Sequence, residues 1–230
     1  MNYCTNLRRM VIGRLRLSKS PLILRGWATL VILLVLAFIG LSFTALRYHS
    51  VKYIYDGDTI LIDTGDAVRY LGINAPEIGH EGKKSQFMAH DARDFNIHLV
   101  GGSRVRIELD REETDHYGRL LAYVFLKNGD MVNALIVKKG FAHVMVKDSQ
   151  VKYFKLLMEL QRQAMNAKLG IWTRKPEKKE RYYLGNKSSF RFHRPGCLFA
   201  SRILPKNLVK VKNYQDAFWM GFSPCKRCNP

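Results

Sequence analysis

The hydrophobic pattern changes character twice along this chain. Residues 27–46 read WATLVILLVLAFIGLSFTAL, 20 positions without a charge, closed by Arg47. About 20 apolar residues is what a helix needs to cross a bilayer, and no amphipathic stripe marks the stretch as one face of a soluble core. From Val51 the pattern breaks into short β-type runs, KYIYDGDTILID, AVRYLGI, RVRIELD and LLAYVFL, rich in Val, Ile, Leu and Tyr and parted by Gly/Asp turns. DTGD at 63–66 and KNGD at 127–130 have the composition of hairpin turns. Residues 85–99 read as a helix between AVRYLGI and RVRIELD. Residues 131–139, stopped by Gly140, predict a second helix, and residues 149–168, with Gly170 just beyond, a third.

These elements predict a mainly β fold with inserted helices. Five short strands suit a closed barrel of the OB-fold kind, spanning residues 48–174. Residues 1–26 form a basic tail before the apolar stretch. The charged, Pro-containing stretch TRKPEKKER at 173–181 marks a linker, placed at residues 175–184. Residues 185–230 form a last segment too short to hold a core unaided.

Charge sharpens this division. The formal net charge is +19, and it sits at the ends. Residues 1–26 hold six Lys/Arg and no acid, residues 175–230 hold 13 against three, and residues 27–174 hold 19 against 16. Arg8, Arg9, Arg14, Arg16, Lys19 and Arg25 all precede the apolar stretch. Basic flanks stay cytoplasmic, so residues 27–46 predict a single-pass membrane anchor with everything after it exported. A cleaved signal peptide is the alternative. Against it, the apolar core exceeds the usual length of about 7–15, and Phe43 interrupts the small-x-small pattern ending at Ala45.

Three short motifs carry candidate chemistry: Tyr55-Asp-Gly-Asp-Thr59, Arg69-Tyr-Leu-Gly-Ile-Asn-Ala-Pro-Glu77 and Thr114-Asp-His-Tyr-Gly-Arg119. Each alone has an ordinary reading. Asp56 and Asp58 can cap a turn, Arg69 can snorkel from a strand, Glu77 can begin a loop, and Arg119 can pair with Asp115. Together they offer what phosphodiester hydrolysis requires. The reaction builds negative charge on a phosphate that is already anionic, so a site needs a cation, fixed positive donors and a group that handles water. Asp58 is a hard oxygen ligand suited to Ca²⁺. Arg69 and Arg119 are planar forks able to grip phosphate oxygens in pairs. Glu77, after Ala75-Pro76, can act on water.

In their order, and in the LLAYVF, MVNALIVKKGFA and LGIW that come after them, these motifs resemble staphylococcal nuclease over about 125 residues. The resemblance implies that Asp58 and the side chain of Asn74 hold calcium, with the Ala75 carbonyl assisting. It implies that Arg69 and Arg119 stabilise the transition state, that Glu77 orients or activates water, and that Tyr117 lies beside the substrate phosphate. The expected activity is endonucleolytic hydrolysis of DNA or RNA. A barrel that binds nucleic acid at a membrane without cutting it is the alternative. The sequence departs from the family at Asn74, where the family has Asp, and at Ala75, where it has Thr. One anionic ligand is lost, which should weaken calcium binding.

Beyond the linker stand His193-Arg-Pro-Gly-Cys197 and Pro224-Cys-Lys-Arg-Cys228. His193, Cys197, Cys225 and Cys228 form two close pairs of soft donors, a spacing suited to tetrahedral Zn²⁺; a disulfide is the other option for an exported protein. The segment is similar, over about 45 residues, to the zinc-binding N-terminal domain of Ada-type methyl-accepting DNA-repair regulators. Their methyl-accepting cysteine corresponds to His193, so methyl transfer is not expected. Arg191, Arg194, Lys210, Lys212, Lys226 and Arg227 suit contact with phosphates. Nothing in the sequence points to a protein partner.

Overall fold

The structure, a computed structural model, describes residues 47–147, 149–175 and 179–230. The expected anchor at 27–46 lies outside the described residues; among these, no helix is long and apolar enough to cross a membrane. Every described element belongs to one compact unit, Leu46–Pro230.

Strands β1 (Tyr48–Ile54), β2 (Thr59–Ile62) and β3 (Ala67–Tyr70) run up and down, with DTGD as the tight turn between β2 and β3. Gly65 takes φ 89 there, a left-handed conformation that a side chain would strain. A two-residue strand β4 (Ile73–Asn74) leads through a loop to α1 (Ala89–Val100). The long β5 (Arg104–Thr114) returns antiparallel to β6 (Leu120–Phe125). β6 lies parallel to β3 and β5 pairs with β1, so the sheet closes as the barrel β1-β2-β3-β6-β5. The KNGD turn differs from a full hairpin: after it only Met131 bridges back to Phe125 before α2 (Val132–Lys138) begins. Then come β7 (His143–Val144), paired with β4, and α3 (Phe154–Asn166).

The barrel interior is aliphatic. Ile60, Val68, Val105, Ala122, Val124, Val132, Ile136 and Val144 are fully buried. Each Val or Ile contributes about 1.5–3 kcal/mol by leaving water.

Two helices start later than their sequence pattern suggests, for the same reason. Residues 85–88 use their polar groups on the preceding loop: Ser85 Oγ accepts from Gly79 N–H at 3.1 Å, and Gln86 Oε1 accepts from Glu77 N–H at 3.0 Å. Met88, with φ 64, then turns the chain into α1. Before α3, Lys152 N–H donates to Asp110 at 3.0 Å and Tyr153 donates to Glu108 at 3.0 Å, which ties the approach to β5.

The C-terminal part is built on strands β8 (Tyr183–Asn186), β9 (Arg191–His193), β10 (Leu208–Val211) and β11 (Ser223–Pro224), with α4 (Tyr214–Trp219) before the last. They form one sheet in the order β10-β8-β9-β11. Its core joins Tyr183, Phe192, Val211, Phe218 and Phe222 to Ala164 of α3 and to Trp172. A segment too small for a core of its own therefore completes one with the last helix of the barrel half.

Candidate functional site

The Asp56-Gly57-Asp58 turn lies where the barrel wall, the 73–77 loop and α1 meet. A Cβ at Gly57 would fall 2.7 Å from the Cβ atoms of both Ala75 and Ala92. Glycine is therefore what allows the turn to lie flat on them. Asp56 Oδ1 accepts from Asp58 N–H at 2.9 Å, and its carbonyl accepts from the Asn96 amide at 3.0 Å. Asn96, fully buried, also accepts from the Tyr70 hydroxyl at 3.0 Å.

Asp58 is almost completely buried. Its Oδ2 accepts from Ala75 N–H at 2.5 Å and faces Arg69 Nη1 at 2.7 Å, while Oδ1 accepts from Thr59 Oγ1 at 3.1 Å. Burial pushes its carboxyl up to about 7. Arg69 and the Ala75 amide pull it down, and the neighbouring Asp56 and Glu77 charges push it up further. Arg69, also buried, donates Nη2 to Asn74 Oδ1 at 2.9 Å and Nη1 to the Ile73 carbonyl at 3.1 Å. Asn74 Nδ2 reaches the Ala75 carbonyl at 3.3 Å. Asp58, from one motif, and Arg69, Asn74 and Ala75, from the next, thus form one contact cluster. Its oxygen donors, a buried carboxylate together with an amide and a backbone carbonyl, fit a hard cation such as Ca²⁺.

Glu77 is exposed, and its backbone is fixed by Gln86 on both sides, through N–H to Oε1 and through its carbonyl to Gln86 N–H. Arg119 stands just before β6, whose Leu120 and Leu121 pair with Val68 and Arg69 of β3. Arg119 therefore stands at the entry to the strand that runs parallel to the one bearing Arg69. Arg119 donates Nε to Asp115 Oδ2 at 2.8 Å, with Nη2 at 2.7 Å from the same oxygen. Asp115 Oδ1 also takes the amides of Tyr117 and Arg119. Burial raises the Asp115 carboxyl, but these hydrogen bonds outweigh it and hold the group below its ordinary value. Tyr117 is 74% exposed, with the Arg119 guanidinium 5.4 Å from its ring. Among the described residues, no hydrogen bond joins Arg119 or Tyr117 to the Asp58 cluster. Sequence reasoning overlooked Asn96 and Gln86, which hold the turn and the Glu77 loop. Asn96 left a signal, since it is a polar residue at an inward position of α1.

At the other end, His193, Cys197, Cys225 and Cys228 place their ligand atoms within 4.8 Å of one another. β9 delivers His193. A turn closed by Cys197 N–H to Arg194 carbonyl brings in Cys197, and Cys225 N–H to Phe192 carbonyl sets the last pair beside it. All three thiols are free. Burial and the two neighbouring thiols push Cys228 up to about 12, although the Arg194 amide pulls it down. A soft divalent cation would stabilise the thiolate forms, and an imidazole with three thiols fits Zn²⁺. Beside this cluster opens a cleft of about 620 Å³ lined by Arg191, Arg202, Lys226, Arg227 and Phe199 among others.

Comparison with known proteins agrees with both halves. The family described as staphylococcal nuclease homologue matches residues 67–174, and the metal binding domain of Ada matches residues 170–230. The chain is 36% identical over 129 residues to a thermonuclease of Staphylococcus intermedius, a span of 55% of this chain and 76% of that protein. With a thermonuclease of Staphylococcus hyicus the identity is 33% over 137 residues, 58% of this chain and 80% of that protein. An endonuclease of Bacillus subtilis is 36% identical over 124 residues, 52% of this chain and 58% of its own length.

Proposed function

This chain belongs to the staphylococcal nuclease family and is a nuclease hydrolase; from that premise we propose that it cuts nucleic acid internally, with calcium, while held at a membrane. The observation that carries the reading is the convergence of Asp58, Arg69, Asn74 and Ala75 into one cluster, buried but for the half-buried Asn74.

In this reading Asp58, Asn74 Oδ1 and the Ala75 carbonyl hold Ca²⁺. When bound, the ion supplies positive charge beside the phosphate and the attacking water. Arg69 presents a guanidinium oriented by two backbone carbonyls and two side chains, a positive group for the charge that develops on the phosphate. Arg119 offers a second fork, oriented by Asp115. Glu77, exposed at a loop pinned by Gln86, orients or deprotonates water. Tyr117 packs beside the phosphate from its exposed position.

His193, Cys197, Cys225 and Cys228 hold Zn²⁺ and stiffen the C-terminal part, whose basic cleft takes phosphates of the same substrate. Residues 27–46 anchor the chain, with residues 1–26 cytoplasmic and the rest extracytoplasmic. Outside a cell, where calcium is plentiful, the weaker ligand Asn74 is tolerable.

Groups that act mainly in the transition state lower turnover when replaced, more than they weaken binding. Arg69→Lys and Glu77→Gln should each cut kcat on DNA by about a hundredfold or more, with Kd for DNA changed only a few fold. Both rates staying within threefold of the parent would sink the assignment.

A further inference from the structure

Strand β7 carries none of the residues assigned to the nuclease site, yet its backbone is where the two halves meet. On one edge it pairs with β4, Asn74 opposite His143 and Ile73 opposite Val144, and Met145 N–H donates to the Gly72 carbonyl at 2.9 Å. The other edge is held by side chains. Gln161 of α3 accepts from Val144 N–H at 2.6 Å and donates to the Phe218 carbonyl of α4 at 2.7 Å. Ser223 of β11 donates to the Val144 carbonyl at 3.1 Å, and Arg191 of β9 donates to the Val146 carbonyl at 3.2 Å. Gln161, Ser223 and Val144 are fully buried.

A two-residue strand pair has little hold on its own register. Apolar packing would press the halves together equally well at several heights. Hydrogen bonds to both the N–H and the carbonyl of Val144 select one. A slip of one residue between β4 and β7 would turn Asn74 to the opposite face. His143 lies in the same seam, its ring 5.2 Å from that of Phe218. Burial, with Arg191 and Arg69 both near, drives its imidazole down to about 3, so the seam carries no charge of its own from His143 at neutral pH. Ser223 and Arg191 each stand two residues from a member of the C-terminal metal cluster, Cys225 and His193.

We propose that Ser223, with Gln161, is a positioning residue for the nuclease site: the pair fixes β7, and through it β4, so that Asn74 and the Ala75 carbonyl face the cation. This rests on the reading that those two groups hold calcium.

The test compares the full chain with Ser223→Ala and with Val211→Ala, which trims the C-terminal core at β10, away from β7. Two readouts are taken: calcium Kd by calorimetry, and amide hydrogen exchange over residues 72–76 and 142–147. Ser223→Ala should raise the calcium Kd about three- to tenfold, as expected for one lost hydrogen bond, and speed exchange at both segments. Val211→Ala should lower Tm and leave both readouts at parental values. Parental calcium affinity and exchange in a folded Ser223→Ala would overturn the proposal, as would Val211→Ala reproducing both effects. Should Ser223→Ala not fold, Arg191→Met keeps the aliphatic stem, removes the bond to Val146 and must give the same two changes. A parent that binds no calcium overturns the metal reading instead. Exchange then decides the brace alone, and unchanged exchange at 142–147 overturns it.

Discussion

At position 74 a neutral amide stands where the family has a carboxylate, and the structure shows what that amide does. Its oxygen accepts from Arg69 and its nitrogen turns to the Ala75 carbonyl, so Asn74 is tied to the same groups that face Asp58. Restoring the charge with Asn74→Asp should lower the calcium concentration for half-maximal activity by about an order of magnitude, because affinity for hard cations follows ligand charge. Calcium titration of cleavage checks this; an unchanged or higher requirement would mean that Asn74 is not a ligand. Residues of this kind were legible in the sequence because their chemistry needs a particular side chain in a short motif. Gln86, Gln161 and Ser223 were not. Each is an ordinary polar residue whose role comes from a hydrogen bond to a backbone group elsewhere in the chain, and only the finished fold brings the two together.

Among the elements, the Asp56–Asp58 turn depends most on its neighbours. The pattern of the β-type runs was sufficient to anticipate the closed five-stranded barrel, since alternation and turn residues are local signals. It missed the delayed starts of α1 and α3, where side chains bond to a preceding loop or to β5 and outweigh helix periodicity. It also could not show that Gly57 lies against Ala75 and Ala92. Gly57→Ala should lift the turn off α1, costing about 1–3 kcal/mol of stability by overpacking. Asp58 moves with the turn, so the calcium requirement should rise several fold as well. Thermal unfolding and calcium titration of the same variant separate the outcomes. A loss of Tm with an unchanged calcium requirement would show that the turn's packing does not govern the metal site.

For the whole molecule, the two basic ends anticipated from the sequence have unequal standing. The N-terminal end lies outside the described residues. The C-terminal one is packed on Gln161 and Ala164 of α3 and on Trp172 just after it, so removing it would expose a shared core. The sequence suggested a charged linker at 175–184. A core shared between 164–172 and the residues after 183 has no periodic signature, because its halves come from different elements. Substitution is therefore a cleaner probe than truncation. Lys226→Ala with Arg227→Ala, at the cleft beside the metal cluster, should raise KM for long DNA. The pair should also make the salt dependence of log K shallower by roughly 0.9 for each phosphate no longer neutralised, with kcat on short substrates retained. An unaltered salt slope would leave the cleft without a role in binding DNA.

The central claim is calcium-dependent cleavage, and digestion of supercoiled plasmid DNA by the full chain, in calcium and in EDTA, measures it directly. With calcium the plasmid should be nicked, linearised and then reduced to fragments; in EDTA it should stay supercoiled. Plasmid that is retarded on a gel but intact in calcium would mean a nucleic-acid-binding barrel that does not cut. Equal cleavage in EDTA would contradict a calcium site at Asp58.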